Sequence, residues 1–203
     1  MMVKVCGITS AEDALAAVEA GASAIGFIFY AASPRFVEPS VATKIASALP
    51  AGIIKVGVFV NEPVDHIASI AKQAGLDIVQ LRGCSAPAGL RFWRMAGHSD
   101  NLPPPDGAEA ILIDTVVAGM HGGTGQTFPW HLARVEGRRI IVAGGLDATN
   151  VREAIRQAHP WGVDACSRIE SAPGRKHRMK MTDFIHAALA EAALAEAALS
   201  GES

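Results

Sequence analysis

Cysteine is scarce in this chain of 203 residues, and Cys6, Cys84 and Cys166 form neither a CxxC nor a His/Cys metal-ligand spacing. That argues against a disulfide framework and a structural zinc site, and it suits a reducing cytoplasm. Long apolar runs are missing too. The richest, GIIKVGVFV, is short and carries Lys55, whereas a membrane-spanning helix needs about 20 apolar residues. The start, MMVKVCG, lacks the basic region and apolar run of a secretory signal. Charge is nearly balanced, with formal net charge -2, so neither nucleic acid nor an anionic membrane is an expected partner. No GxGxxG follows the first apolar run, which counts against a dinucleotide-binding sheet. What the chain does have is a 50% hydrophobic composition, enough for one soluble domain with a sizeable core.

Apolar, β-branched runs alternate with Ala-rich helical stretches. VKVCGIT (3–9) reads as a strand running into a turn, with Ser10 as N-cap of the following helix, Glu12 and Asp13 in its first turn, and Gly21 closing it. Further strands are expected at 24–30, 53–60, 77–81, 90–98, 110–114, 138–145 and 161–167, and helices at 40–49, 64–75, 148–159 and from about Met179. CSAPAG leaves little room for a helix after the fourth strand, and SDNLPPPDG forms a loop after the fifth. The tail HAALAEAALAEAAL favours helix, and its five-residue repeat does not keep the leucines on one face, so 191–203 is taken as a helical extension beyond a domain at 1–190. Eight strands alternating with helical segments, almost without hairpin signals, imply parallel pairing. A closed (β/α)8 barrel and an open doubly wound sheet both fit. Polar residues at strand C-terminal ends (Cys6, Gln80, Asp114, Asp164) favour the barrel, where chemistry collects at that end. The fold class is therefore α/β, a single TIM barrel with abbreviated fourth and fifth βα units.

Alternation places Lys4 and Cys6 on one face of the first strand. Cys6 is either a buried small hydrophobe or a thiolate whose pKa Lys4 helps to lower, and Lys4 is equally suited to an interior ion pair. Asp114 ends the sixth strand on the face of Leu112, pointing into the mouth or capping the following loop. Asp164 repeats this geometry on the eighth strand, sharing a face with Cys166, and Gln80 does so on the fourth. Glycines in AGGL (143–146) and the ACS of 165–167 suit a phosphate site, since the loops after strands seven and eight of barrels often hold phosphate. HGGTG (121–125) is a lid or a ligand cradle. Arg35 follows Pro34 in the second loop, placed to grip a carboxylate bidentately or to stand as a solvated charge.

KVCGIT, GFIFYAASPR, VGVF, VQLRG, ILIDT, GGTG, VAGGL and VDACS, in this order, resemble phosphoribosylanthranilate isomerase of tryptophan biosynthesis, from residue 3 to about 190 with an interruption over roughly 84–108. The resemblance implies a cofactor-free Amadori rearrangement of a phosphorylated sugar amine. It gives Asp114 the role of general acid that opens the furanose ring, and Cys6 that of general base that removes the C2′ proton. It further implies that Arg35 binds the anthranilate carboxylate, that Gly144, Gly145 and Ser167 hold the phosphate, and that Gln80 and Asp164 line the sugar and amine region. A monomer or homodimer in the cytoplasm, without metal, completes the expectation.

Two departures stand out. The family usually reads QLHG where this chain has QLRG, with Arg82, and VDVSSG where it has VDACSR, with Cys166 and Arg168. If the glycine replaced by Arg168 needs positive φ, the arginine strains the turn; otherwise its charge aids phosphate binding. Alternatives are an isomerase of the histidine-pathway aminoaldose, or a bifunctional version, disfavoured because that chemistry commonly uses two aspartates. A non-catalytic binding relative and, more distantly, a Schiff-base aldolase using Lys4 or Lys55 complete the set.

Overall fold

The computed structural model describes residues 1–98, 100–103, 106–115 and 127–200, so HGGTG at 121–125 lies outside the described residues. Eight strands form the barrel: β1 (Met2–Val5), β2 (Ala24–Ile28), β3 (Ile54–Val60), β4 (Ile78–Arg82), β5 (Phe92–Gly97), β6 (Ala110–Asp114), β7 (Ile140–Val142) and β8 (Gly162–Ala165). They pair in chain order, all parallel, and β1 closes on β8. Helices α1 (Ala11–Glu19), α2 (Pro39–Ala48), α3 (Val64–Ala74), α4 (Val151–Ala158) and α5 (Arg178–Ser200) lie between or after the strands. The closed sheet decides between the two architectures that the strand pattern allowed.

Local chemistry explains the ends of these elements. Ser10 caps α1 by accepting from the Asp13 N–H at 3.2 Å, with Glu12 and Asp13 in the first turn. α2 starts on a proline, whose missing N–H costs nothing there. α3 ends on the left-handed Gly75.

β4 and β5 are joined without a helix, as expected, and so are β5 and β6 among the described residues. Between β6 and β7 the described residues hold only a 3₁₀ turn, Trp130–Ala133. Phe128 helps to cover this side, buried and stacked on His98 with ring centroids 4.9 Å apart. The sequence reading missed a short antiparallel hairpin after β8, made of β9 (Glu170–Ala172) and β10 (Arg175–Lys176). The position 190/191 falls inside α5, where Glu191 and Ala192 are still buried and Glu191 meets Arg156 at 3.4 Å.

Two apolar layers result. The outward faces of the strands pack on the helices, with Val3, Val5, Phe27, Leu81 and Ile113 among them. The inward faces fill the barrel with Met2, Ala24, Val56, Ile78, Trp93, Leu112 and Ile141. The interior is thus a packed plug on which polar side chains at the C-terminal ends rest.

Candidate active site

Lys4 is fully buried inside the barrel, and its Nζ donates to Asp164 Oδ1 at 2.9 Å across the β1–β8 seam. Of the two readings of Lys4, the interior ion pair is therefore real. It does not exhaust the role of Lys4, because Cys6 lies two residues further along the same face. Gly26 on β2 makes this crowding possible: a Cβ there would sit 2.8 Å from Cys6 Sγ and 3.1 Å from Lys4 Cε.

The electrostatics follow from this packing. The Cys6 thiol is held well below its ordinary value, first by a hydrogen bond from Cys166. Burial opposes that shift, while Lys4 and Lys176 reinforce it. Burial also works against the Lys4 ammonium, yet Asp164 and the Cys6 thiolate together raise it above its usual value. For Asp164 the balance falls the other way. Burial outweighs the attraction of Lys4, and the carboxyl is pushed up to about 7.

Asp114 stands at the end of β6, buried, with Oδ1 accepting from the Thr115 N–H at 2.7 Å. Burial raises this carboxyl above its ordinary value, the neighbouring Cys6 thiolate adds to the effect, and Thr115, Arg82 and Lys4 oppose it. The mouth therefore holds a carboxyl biased towards its protonated form and a thiol biased towards its thiolate. Opposed shifts of this kind are what general acid–base chemistry requires of its two partners.

Asp114, Gly144, Gly145, Asp164, Ser167 and Arg168 line one cleft. Gly144 and Gly145 have φ of +86° and +62°. A Cβ on Gly144 would collide with Thr115 Oγ1 and lie 2.8 Å from Asp114 Oδ1, so only glycine lets this loop pass the carboxyl. The described residues with positive φ other than glycine are Asn61 and His159. Arg168 is not among them, and the feared strain is absent. Its Nε donates to Asp147 Oδ2 at 2.6 Å on the rim of the cleft.

Gln80 lies beneath the mouth, 1% exposed, and among the described residues its Oε1 has no hydrogen-bond partner. A buried acceptor without a donor is costly. Arg35 reaches the mouth from the loop after β2. Its Nε and Nη2 donate to the Glu170 carboxylate at 2.9–3.1 Å. Glu170 also accepts from Lys176 Nζ at 2.9 Å and from the Gly174 N–H at 3.4 Å. Both Glu170 and Lys176 escaped the sequence reading. The signal was a Pro-Gly turn, Pro173–Gly174, flanked by an acid and a base. Among the described residues no group of three His, Cys, Asp or Glu is placed to hold a metal ion.

Comparison with known proteins agrees with this geometry. The family model described as N-(5'phosphoribosyl)anthranilate (PRA) isomerase matches residues 3–187. The N-(5'-phosphoribosyl)anthranilate isomerase of Solibacter usitatus is 52% identical over 198 residues, covering 94% of this chain and 98% of the relative. The crystal structure of phosphoribosyl anthranilate isomerase from Thermotoga maritima superposes with a TM-score of 0.81 at 34% identity, covering 94% of this chain and 99% of that one. A phosphoribosyl anthranilate isomerase in complex with reduced 1-(o-carboxyphenylamino)-1-deoxyribulose 5-phosphate gives a TM-score of 0.77 at 33% identity, with the same coverage. By its closed barrel and these matches, the chain belongs to the N-(5'-phosphoribosyl)anthranilate isomerase family.

Proposed function

We propose that this chain converts N-(5-phosphoribosyl)anthranilate to 1-(2-carboxyphenylamino)-1-deoxyribulose 5-phosphate, the isomerase step of tryptophan biosynthesis. The observation that carries this reading is the opposed bias of Asp114 and Cys6 at one barrel mouth. Protonated Asp114 donates to the furanose ring oxygen, the C1′–O bond breaks, and the anilino nitrogen carries the charge as a protonated Schiff base. The Cys6 thiolate then removes the C2′ proton, and the electrons of that C–H bond neutralise the iminium to give an enolamine. Protonation at C1′ and loss of the C2′ hydroxyl proton complete the ketone. Each proton transfer from or to a positioned group is worth roughly 10²–10⁴ in rate.

The other residues take supporting roles. Gly144, Gly145 and Ser167 offer the phosphate the cleft that they line with Asp114. The open Gln80 Oε1 accepts from the substrate's amine or a hydroxyl. Glu170 holds the Nε/Nη2 edge of Arg35, leaving Nη1 for the anthranilate carboxylate. Asp164 keeps Lys4 charged beneath the thiol. We place the chain in a reducing cytoplasm, a setting that suits its three sparse cysteines without CxxC spacing; among the described residues no helix is long and apolar enough to cross a membrane.

The test is turnover by the purified protein, followed by loss of anthranilate-substrate fluorescence, together with rescue of a tryptophan auxotroph lacking this isomerase. Turnover and rescue are expected. Turnover of only the histidine-pathway aminoaldose, or soluble protein without either activity, would overturn the reading.

A further inference from the structure

The mechanism uses one thiol, yet the same patch of the mouth holds two. β1 and β8 pair in register from Met2 with Gly162 to Val5 with Ala165. One residue further brings Cys6 beside Cys166, and the Cys6 N–H donates to the Ala165 carbonyl at 2.9 Å. Two residues back, this register joins the side chains of Lys4 and Asp164 inside the barrel. Alternation along the strands therefore turns both thiols to the same inner face. Neighbouring strands lie about 4.8 Å apart, within the Cα separation of about 4.4–6.8 Å that a disulfide spans.

The surroundings permit the reaction. A Cβ on Gly7 would sit 3.0 Å from Cys166 Sγ, so glycine there leaves room for that sulfur. Cys166 lines the open cleft and is partly exposed, and both cysteines are free thiols. Cys84, the third, is engaged elsewhere: it accepts from the Glu62 N–H and donates to the Arg82 carbonyl, each at 3.2 Å. The family pattern VDVSSG has serine where this chain has Cys166, and a hydroxyl cannot make this link.

We propose that Cys6 and Cys166 are a redox-modification site, closed into an intramolecular disulfide by a low-molecular-weight disulfide such as oxidised glutathione. The Cys6 thiolate attacks one sulfur of that oxidant, forming a mixed disulfide and expelling one thiolate. Cys166 gives its proton to solvent and attacks the Cys6 sulfur, expelling the second. The two protein thiols lose two electrons and two protons, and the oxidant's S–S bond is reduced to two thiols. The closed form has no thiolate at position 6 and cannot take the C2′ proton. That loss of activity rests on the proposed role of Cys6, whereas the crosslink itself does not.

Incubating the reduced, full-length protein with oxidised glutathione tests the site. The expected result is an intact mass lower by two hydrogens, a peptide linking Cys6 to Cys166, and activity lost in proportion to the linked fraction. Dithiothreitol restores mass and activity together. Cys166→Ser forms no such link, and any oxidation stops at a glutathione adduct. Three thiols still free after incubation, a link through Cys84 or between two chains, or a two-hydrogen loss that persists in Cys166→Ser would overturn the site. A Cys6–Cys166 link with full activity would instead overturn Cys6 as the base, and with it the inactivation.

Discussion

Replacing Lys4 with methionine isolates the buried ion pair under the thiol. Lys4 is wholly enclosed, and the Nζ to Asp164 Oδ1 distance is 2.9 Å. Methionine nearly fills the volume but leaves the carboxylate without its counter-charge. Removing one partner of a buried pair costs about 3–5 kcal/mol, whereas replacing both with apolar groups is often neutral or stabilising. Lys4→Met should therefore lose about 3–5 kcal/mol at about pH 8, and Lys4→Met/Asp164→Leu should recover most of it. The sign with pH is fixed by the carboxyl. Asp164 is already pushed up to about 7 by burial, and without Lys4 it moves higher still. Its folded value then exceeds its unfolded one, so the folded state binds more protons in between, and stability falls as pH rises through that window. The deficit of Lys4→Met should shrink at about pH 5, where the carboxyl is neutral in the fold. The thiol supplies an independent readout. Losing the nearby ammonium raises Cys6, so the acid limb of the kcat/KM profile should move to higher pH. Urea unfolding of the parent, Lys4→Met, Asp164→Leu and the double variant at both pH values, with pH–rate profiles for the parent and Lys4→Met, gives all of these quantities. A single variant within about 1 kcal/mol of the parent, or a double variant no better than the single, would refute the reasoning.

Cys6→Ala and Asp114→Asn should each lower kcat by roughly 10²–10⁴ while keeping parental urea midpoints, and near-normal turnover in either removes that residue from its role. Gly144→Ala should cost about 1–2 kcal/mol of stability for its left-handed backbone. Because its Cβ would press on Asp114 and Thr115, kcat should fall on the order of a hundredfold; an unchanged kcat would show that the loop yields without moving the acid. Glu170→Gln keeps the shape but removes the charge that holds Arg35 and Lys176. KM should rise with kcat less affected, and thermal unfolding should report a loss of about 1–3 kcal/mol; a parental KM would show that Arg35 is positioned without it.

The sequence by itself determined the strand and helix alternation, the missing helices after β4 and β5, and the polar strand ends from which the site is built. These are local properties: β-branched runs, prolines and period-two alternation state them residue by residue. The roles implied for Cys6 and Asp114 came from motif resemblance, and the structure supplied the environments that make those roles chemically coherent. Tertiary structure alone decided which side chains meet. The Lys4–Asp164 pair spans 160 positions and exists because β1 closes on β8, which alternation cannot express, since an open sheet satisfies the same pattern. The grip of Glu170 on Arg35 needs a hairpin of two very short strands, too brief to leave a periodic signal. Whether Arg168 strains its turn depended on one backbone angle, and whether Gln80 was satisfied depended on every neighbour around it. VKVCGIT announced a lysine and a thiol on one face. That the lysine is locked to an aspartate, and the thiol set beside a second one, followed only from barrel closure.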